Sequence, residues 1–318
     1  VIRTPNGIKR IRTRRAVILA TGGFPHNERL RRELAVANPH QYSAACEDNT
    51  GDGLSLARDI GADIDRSMSS AGFWTPASLV PEGSGRFTAF PYGHLDRGKP
   101  GAIIVDTHGN RFVNEADSYH DVVSAMFSGP QQGERQRSHL ICDHRFIIKY
   151  GLGALRPHAI GLDRMIRNGY LIRGSTIAEL AKRIGIDAAT LERTISRHNT
   201  FAAAGRDDDF GKGSTVLNRY NGDPDCKPNP CLRPITEAPF YALALHAATL
   251  GTAIGLRTNA DAQVLDEQGL TIEGLYACGN DMASIVRGYY PAGGITLGPA
   301  IVFAYRAALH IASISVRS

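Results

Sequence analysis

Gly274-Leu275-Tyr276-Ala277-Cys278-Gly279-Asn280-Asp281, running through Arg287-Gly288-Tyr289-Tyr290-Pro291-Ala292-Gly293-Gly294 into Ile295-Thr296-Leu297-Gly298-Pro299-Ala300, is the stretch that decides the fold. Leu275 to Cys278 is an apolar run closed by a glycine, which predicts a buried strand. A glycine-rich loop follows, and the apolar sequence from about Ile295 to Ile311 predicts a helix. Strand, loop and helix in this order aim the free N–H groups of the helix start at whatever the loop surrounds. The arrangement suits a large cofactor with an electron-rich edge.

Three segments further out share this character. Ala16-Val17-Ile18-Leu19-Ala20 predicts a buried strand running into Thr21-Gly22-Gly23-Phe24, Thr50-Gly51-Asp52-Gly53 is a tight turn, and Gly109-Asn110-Arg111-Phe112-Val113-Asn114-Glu115 reads as a strand and turn. Together with the C-terminal stretch, these segments resemble the FAD-dependent dehydrogenases of the fumarate reductase superfamily, and within it the 3-ketosteroid Δ1-dehydrogenases. The resemblance extends over essentially the whole chain. It implies an α/β fold of mixed α+β character: a partial Rossmann-like FAD-binding domain with an inserted α+β substrate or capping domain. The two ends, residues 1–78 and 253–318, would form the cofactor domain, and residues 79–252 the substrate domain. Such flavoproteins hold the pyrophosphate with a G-x-G-x-x-G turn between a strand and a helix. That motif does not occur before Ala16, where Gly7 stands alone. The chain is therefore expected to be the C-terminal part of a longer protein.

Composition narrows the class. The 318 residues suggest two domains, and 42% hydrophobic with 21% charged residues is ordinary for a globular protein. No apolar run is long enough for a transmembrane segment. The basic N-terminal stretch (Arg3, Lys9, Arg10, Arg12, Arg14, Arg15) before Ala16–Ala20 reads as a hairpin edge and not as a signal peptide, whose apolar region would be longer. The net charge of +5 is spread along the chain without a basic stripe, so nucleic acid is not an expected partner. Five widely spaced cysteines argue for a reducing, cytoplasmic compartment, and neither they nor the eleven histidines form a metal-binding pattern.

Between the motifs, Asn27 is expected to cap a helix through about Ala37, and Gly51–Gly61 another with Leu54, Leu56, Ala57 and Ile60 available for burial. Residues 67–100, rich in Gly, Pro and Ser, read as loop. Ala102–Val105 and Arg111–Val113 read as a strand pair across the turn 106–110. The middle of the chain is expected to be more helical: Thr176 and Glu179 form a capping box for a helix ended by Gly185, and Asp187 caps a helix that buries Leu191, Ile195 and His198 before Gly205. Residues 206–234 are turn-rich, and strands resume at Phe240–Leu245, Gln263–Leu265 and Leu275–Ala277, the strand-rich ends forming one sheet.

The resemblance also assigns roles. Tyr290 and the Gly294 N–H would stabilise the growing enolate of a ketone, an effect worth roughly 3–4 kcal/mol per donor, and Tyr119 would be the general base. A phenol ionises near pH 10, so a donor or cation must assist it. Tyr289 is a weaker rival of Tyr290, and His120 is expected at the surface. Thr21, Gly22 and Gly23 would let the backbone approach the FAD pyrophosphate and ribose. Asp52 would either bond near the cofactor or cap its helix. Asn280, after Gly279, would contact the ribityl chain, and the N–H groups near Thr296 and Leu297 would face the flavin ring edge. The expected partners are a small ketone or steroid substrate and an external electron acceptor.

Two alternatives stand beside this reading. Fumarate reductases, or other enoate or ketone flavin reductases, are the nearest enzymatic one. Fumarate reductases place an arginine shortly after the Asn-Glu turn, whereas this chain reads Ala116-Asp117-Ser118-Tyr119-His120 and has no arginine before Arg135, while Asp117 and Asp121 would repel a dicarboxylate. The other is a truncated, inactive fragment without FAD.

Overall fold

The computed structural model describes residues 2–34, 42–83, 85–91, 96–128 and 137–314. The chain divides into two units: the described residues of Val1–Pro39, Ala45–Phe73 and Gly251–Ser318, and those of His40–Ala44 and Trp74–Leu250.

In the first unit, Gln263–Leu265, Thr271–Ala277 and Val17–Leu19 form a three-stranded sheet, with the last strand parallel in the register Leu275↔Val17, Tyr276↔Ile18 and Ala277↔Leu19. A separate antiparallel pair joins Ile64–Asp65 to Gly255–Leu256. Among the described residues the ends of the chain therefore form three small sheets and not one, the third being the N-terminal basic hairpin, Ile2–Thr4 with Gly7–Lys9, which pairs only with itself. The core collects Leu19, Phe24, Leu30, Leu54, Leu256, Val264 and Met282. The expectation of a fully buried first strand fails: it is paired on one side, and Val17 and Ile18 are more than 40% exposed. The terminal helix Leu297–Ser313 likewise exposes Leu297, Ile301, Val302, Tyr305 and Leu309.

Asn27 caps the helix Glu28–Leu34, its Oδ1 accepting the Leu30 N–H at 3.0 Å; the expected continuation to Ala37 lies outside the described residues. The helix Asp52–Arg58 buries Leu54 and Ala57, three residues apart on one face, whereas Leu56 and Ile60 face outward. Its N-cap is Gly51 in the left-handed conformation, so Asp52 is the first helical residue and not the cap.

The second unit, expected as α+β, is built among the described residues on a seven-stranded sheet. Its path runs Arg86–Pro91, Gly72–Gly83, Phe240–Thr252, Arg137–Asp143, Ala102–Val105, with Ile172–Gly174 and Tyr42–Ser43 also pairing the long Phe240–Thr252 strand. The expected loop 67–100 is in large part a β-hairpin: Gly83 and Gly85 flank its turn, Pro76 and Pro81 lie within its first strand, and Phe73, Trp74, Leu79 and Val80 supply strand residues. Arg111–Val113 forms no strand, only a single bridge from Arg111 to Val105. The helices Ile177–Ile184 and Ala188–Ala204 start at Thr176 and Asp187, end at Gly185 and Gly205, and pack Leu180, Leu191 and Ile195 against Ile103, Ile141 and Ala242 of the sheet. Tyr119–Phe127 packs Val123 and Met126 with Trp74 and Ala247.

Candidate active site

In the first unit, the glycine turns converge on one buried carboxylate. Asp281 is fully buried and accepts the backbone N–H of Thr21, the Thr21 hydroxyl at 3.0 Å and the Gly23 N–H at 3.1 Å. Thr21 Oγ1 in turn accepts the Gly53 N–H at 3.1 Å. Three chain segments are thus tied into one knot, and glycine is required where they meet. A Cβ on Gly23, at φ +76°, would lie 2.2 Å from Thr252 Oγ1; one on Gly251 would lie 2.2 Å from Asn280 Nδ2; one on Gly53 would lie 2.8 Å from Thr21 Oγ1. Gly22, at φ +91°, abuts the Asn49 side chain. Asp52 is exposed and accepts the Thr50 hydroxyl at 3.0 Å.

Beside the knot lies a cavity lined by Phe73, Thr252, Gly279, Asn280, Ile295, Thr296 and Pro299. Thr252 Oγ1 is buried there without a hydrogen-bond partner. A buried hydroxyl is rarely left unpaired, so a ligand with a polar edge fits this wall. Thr296 forms the N-cap of Leu297–Ser313, which puts the positive end of the helix dipole at the same wall. The structure thus brings Gly279, Asn280 and Thr296 together on one surface, with Thr21 and Gly23 on the adjoining knot; Leu297 follows in the exposed first turn.

Tyr290 is 6% exposed and meets Phe73 edge-on, ring centroids 5.3 Å apart, whereas Tyr289 is 65% exposed. Gly294 takes φ +94°, and its carbonyl accepts the Gly298 N–H at 2.8 Å.

Tyr119 belongs to the second unit and begins the helix Tyr119–Phe127, buried directly after the Asn114-Glu115 turn. That turn is held from several sides. Asn114 Oδ1 accepts the Ala116 N–H at 3.0 Å, Asn114 Nδ2 donates to Asn218 at 2.9 Å, and Arg97 donates to the Glu115 and Asp117 carbonyls at 2.6 and 3.2 Å. The Glu115 carboxylate accepts Arg111 and the Ile104 N–H and faces Lys212 at 3.4 Å; Arg111 also pairs with Asp207. Burial alone would push the Glu115 carboxyl up, but the charges of Arg111 and Lys212 outweigh it and hold the group well below the ordinary carboxylate range. Arg97 is pushed down to about 10 by complete burial, opposed by Asp96, Glu115, Asp117 and Tyr119, so it remains a cation at neutral pH.

His120 is buried and not at the surface: its Nδ1 accepts the Trp74 N–H at 3.3 Å, and burial lowers its pKa. Asp281, Thr252, Arg97 and Lys212 also take part in these two clusters without a local sequence pattern that assigns them a role. Asp281 stands directly after Gly279-Asn280, and that place in the glycine-rich motif is its one sequence signal. Lys212 sits in turn-rich sequence with nothing to mark it as buried. Arg135 lies outside the described residues.

With this geometry in hand, comparison with known proteins is specific. A family model described as FAD binding domain matches residues 1–297. The chain is 38% identical over 314 residues to a 4-oxocyclohex-2-ene-1-carboxylate 5-dehydrogenase of Sinomonas cyclohexanicum, covering 96% of this chain and 52% of that protein. It is 38% identical over 309 residues to a 3-oxosteroid 1-dehydrogenase of Mycobacterium tuberculosis, covering 95% and 53%. The crystal structure of the 3-ketosteroid Δ1-dehydrogenase of Sterolibacterium denitrificans, in complex with 1,4-androstadiene-3,17-dione, superposes with a TM-score of 0.85 at 39% identity, over 94% of this chain and 53% of that one. The chain spans about half the length of the curated relatives it matches.

Proposed function

This chain belongs to the FAD binding domain family, and we propose that it is the part of an FAD-dependent dehydrogenase that desaturates a carbon–carbon bond next to a ring ketone, a 3-ketosteroid at its C1–C2 bond. FAD, when bound, supplies the hydride acceptor; the proton chemistry falls to the chain's own residues. Tyr290 donates a hydrogen bond to the substrate carbonyl, joined by the Gly294 N–H, and these donors stabilise the enolate as negative charge moves onto oxygen. Tyr119 takes the proton from the carbon beside the carbonyl. The Thr21-Gly22-Gly23 turn accommodates the cofactor's phosphate and ribose end, Asn280 its ribityl chain, and the helix start at Thr296 and Leu297 its ring edge.

The observation that carries this reading is the burial of Tyr290 against Phe73, a residue that also lines the cavity bearing the unpaired Thr252 hydroxyl. Two relatives at equal identity bear names for different substrates, a 3-oxosteroid and a 4-oxocyclohexene carboxylate, so a monocyclic keto acid is the second reading. No helix among the described residues is long and apolar enough to cross a membrane. Five free cysteines support placing the reaction in a reducing, cytoplasmic setting, with an external electron acceptor.

The test is to incubate the protein, expressed from the longest reading frame containing this chain, with androst-4-ene-3,17-dione or 4-oxocyclohexanecarboxylate and an artificial acceptor dye. A product two hydrogens lighter from the steroid supports the first reading. The same loss from the keto acid alone supports the second, and no product from either contradicts both.

A further inference from the structure

We infer that Arg287 is a positioning residue for Tyr290, holding the tyrosine's loop through a side-chain fork and a left-handed backbone. This rests on the proposed role of Tyr290 as the carbonyl-polarising donor.

Arg287 takes φ 57°, a conformation uncommon outside glycine that persists where surrounding structure over-determines it. Its surroundings do so. The guanidinium donates to Asp65 Oδ2 at 2.5 Å, to the Ser67 carbonyl at 2.9 Å and to Ser67 Oγ at 2.5 Å. The Arg287 carbonyl accepts both the N–H and the hydroxyl of Ser69, at 2.9 and 2.8 Å. The next residue, Gly288, at φ 87°, lies so close to the 69–70 backbone that a Cβ there would be 2.5 Å from the Ser70 nitrogen. Tyr290 then meets Phe73. The 287–290 segment is therefore laid along 65–73 in step: 287 on 65, 67 and 69, 288 on 70, and 290 on 73.

The side chain of Arg287 is about half exposed, so its ion pair adds little stability by itself. What it supplies is geometry. The planar fork reaches two residues at once, which the point charge of a lysine does not reproduce. Glycine would take the same backbone angle without strain, so what a side chain adds at this position is the fork. A hydrogen-bond donor to a developing oxyanion must be fixed before the reaction, and a shift of about 1 Å in such a group costs roughly a hundredfold in rate.

The experiment compares Arg287→Gly, Arg287→Lys and wild type in the full-length flavoprotein by two independent readouts. Hydrogen–deuterium exchange reports the 284–291 segment directly, with the Thr271–Ala277 strand as an internal control for an intact unit. Both variants are expected to exchange about tenfold faster in 284–291 with the control strand unchanged, and to lose about tenfold or more in kcat on the ring ketone with KM within about twofold. Unchanged exchange in 284–291 overturns the inference, as does faster exchange with an unaltered kcat. A parallel loss of protection in the control strand also overturns it, because the residue is then a general structural support. Wild-type protein that oxidises no ring ketone removes the proposed function and this inference with it, whereas a failure confined to the variants leaves the function standing.

Discussion

Asp281 and Thr21 lie 260 residues apart in the sequence and are joined by the Thr21 backbone N–H donating into the buried Asp281 carboxylate. The same carboxylate holds the Gly23 N–H, so one side chain from the C-terminal motif sets the shape of the glycine turn that follows the first strand. Asp281→Ala leaves two backbone donors without an acceptor and is expected to cost about 2–4 kcal/mol. Asp281→Asn, whose amide hydrogens meet N–H donors, is expected to cost less, about 1–3 kcal/mol. Urea unfolding measures both; a loss under about 0.5 kcal/mol for Asp281→Ala would show that the knot is not a stabilising element.

Gly23→Ala combines a left-handed backbone with a clash against Thr252 Oγ1 and the Asn280 carbonyl. A loss of about 2 kcal/mol or more is expected. Thr252→Ala in the same chain removes the nearer obstacle and should recover part of it. A double-mutant cycle with no coupling between the two positions would contradict contact between Gly23 and Thr252.

His139 and His198 are both pushed down to about 4, chiefly by burial, and each carries an unpaired buried Nδ1. The unfolded chain binds their protons near pH 6.5. Between about 6.5 and 4, therefore, the unfolded state holds more protons than the folded one. Their contribution is complete above about pH 6.5 and is lost as pH falls through that window, on the order of 2–3 kcal/mol for each histidine. Denaturation at pH 7 and pH 5 should show the drop, and His198→Gln should make it smaller. An unchanged drop would exclude His198 as its source.

Glu115 and Asp207 are both held below their ordinary range, by Arg111 against the opposing effect of burial. Depressed carboxylates stabilise the fold above the unfolded value and lose that contribution as pH falls below about 4. Glu115→Gln also leaves Lys212 buried beside an uncharged amide, and a cost of about 3–5 kcal/mol is expected with a flatter stability profile below pH 4. A variant as stable as wild type at pH 7 would show that Lys212 finds another partner.

Tyr119 follows a turn crossed by the buried Arg97 cation. If Tyr119 is the base proposed above, Tyr119→Phe, expressed from the longest reading frame containing this chain, is expected to lower kcat about 10²–10⁴-fold at nearly constant KM. Kinetics on the ring ketone decides it; a kcat within threefold of wild type would assign the base elsewhere.

Much of this organisation was legible because local chemistry and tertiary role agree. Thr176, Asp187 and Asn27 cap helices as their residue types predict, and Gly185 and Gly205 end them. The glycine turns at 21–23 and 50–53, read as tight turns, are places where a Cβ on Gly23 or Gly53 would press on Thr252 or Thr21. The failures have one physical source, since non-local packing overrides local composition. Gly72–Gly83 and Arg86–Pro91 read as loop by their Gly and Pro, yet pairing of the first with the Phe240–Thr252 strand, and of the second with the first, makes them sheet. His120 looked like a surface residue until the Trp74 N–H reached its ring. Asp281 and Lys212 carry their meaning only through partners far away in sequence, Thr21 for the first and Ala102 and Glu115 for the second.

Whether Tyr290 polarises a ring ketone beside a flavin is decided by an anaerobic flavin absorbance spectrum of protein expressed from the longest reading frame containing this chain, before and after addition of a 3-ketosteroid, in wild type and Tyr290→Phe. Bleaching of the oxidised flavin bands is expected in wild type, and at a rate about 10²–10³-fold lower in the variant. Flavin that binds but stays oxidised with the steroid, or bleaches equally fast in both proteins, would contradict this role of Tyr290.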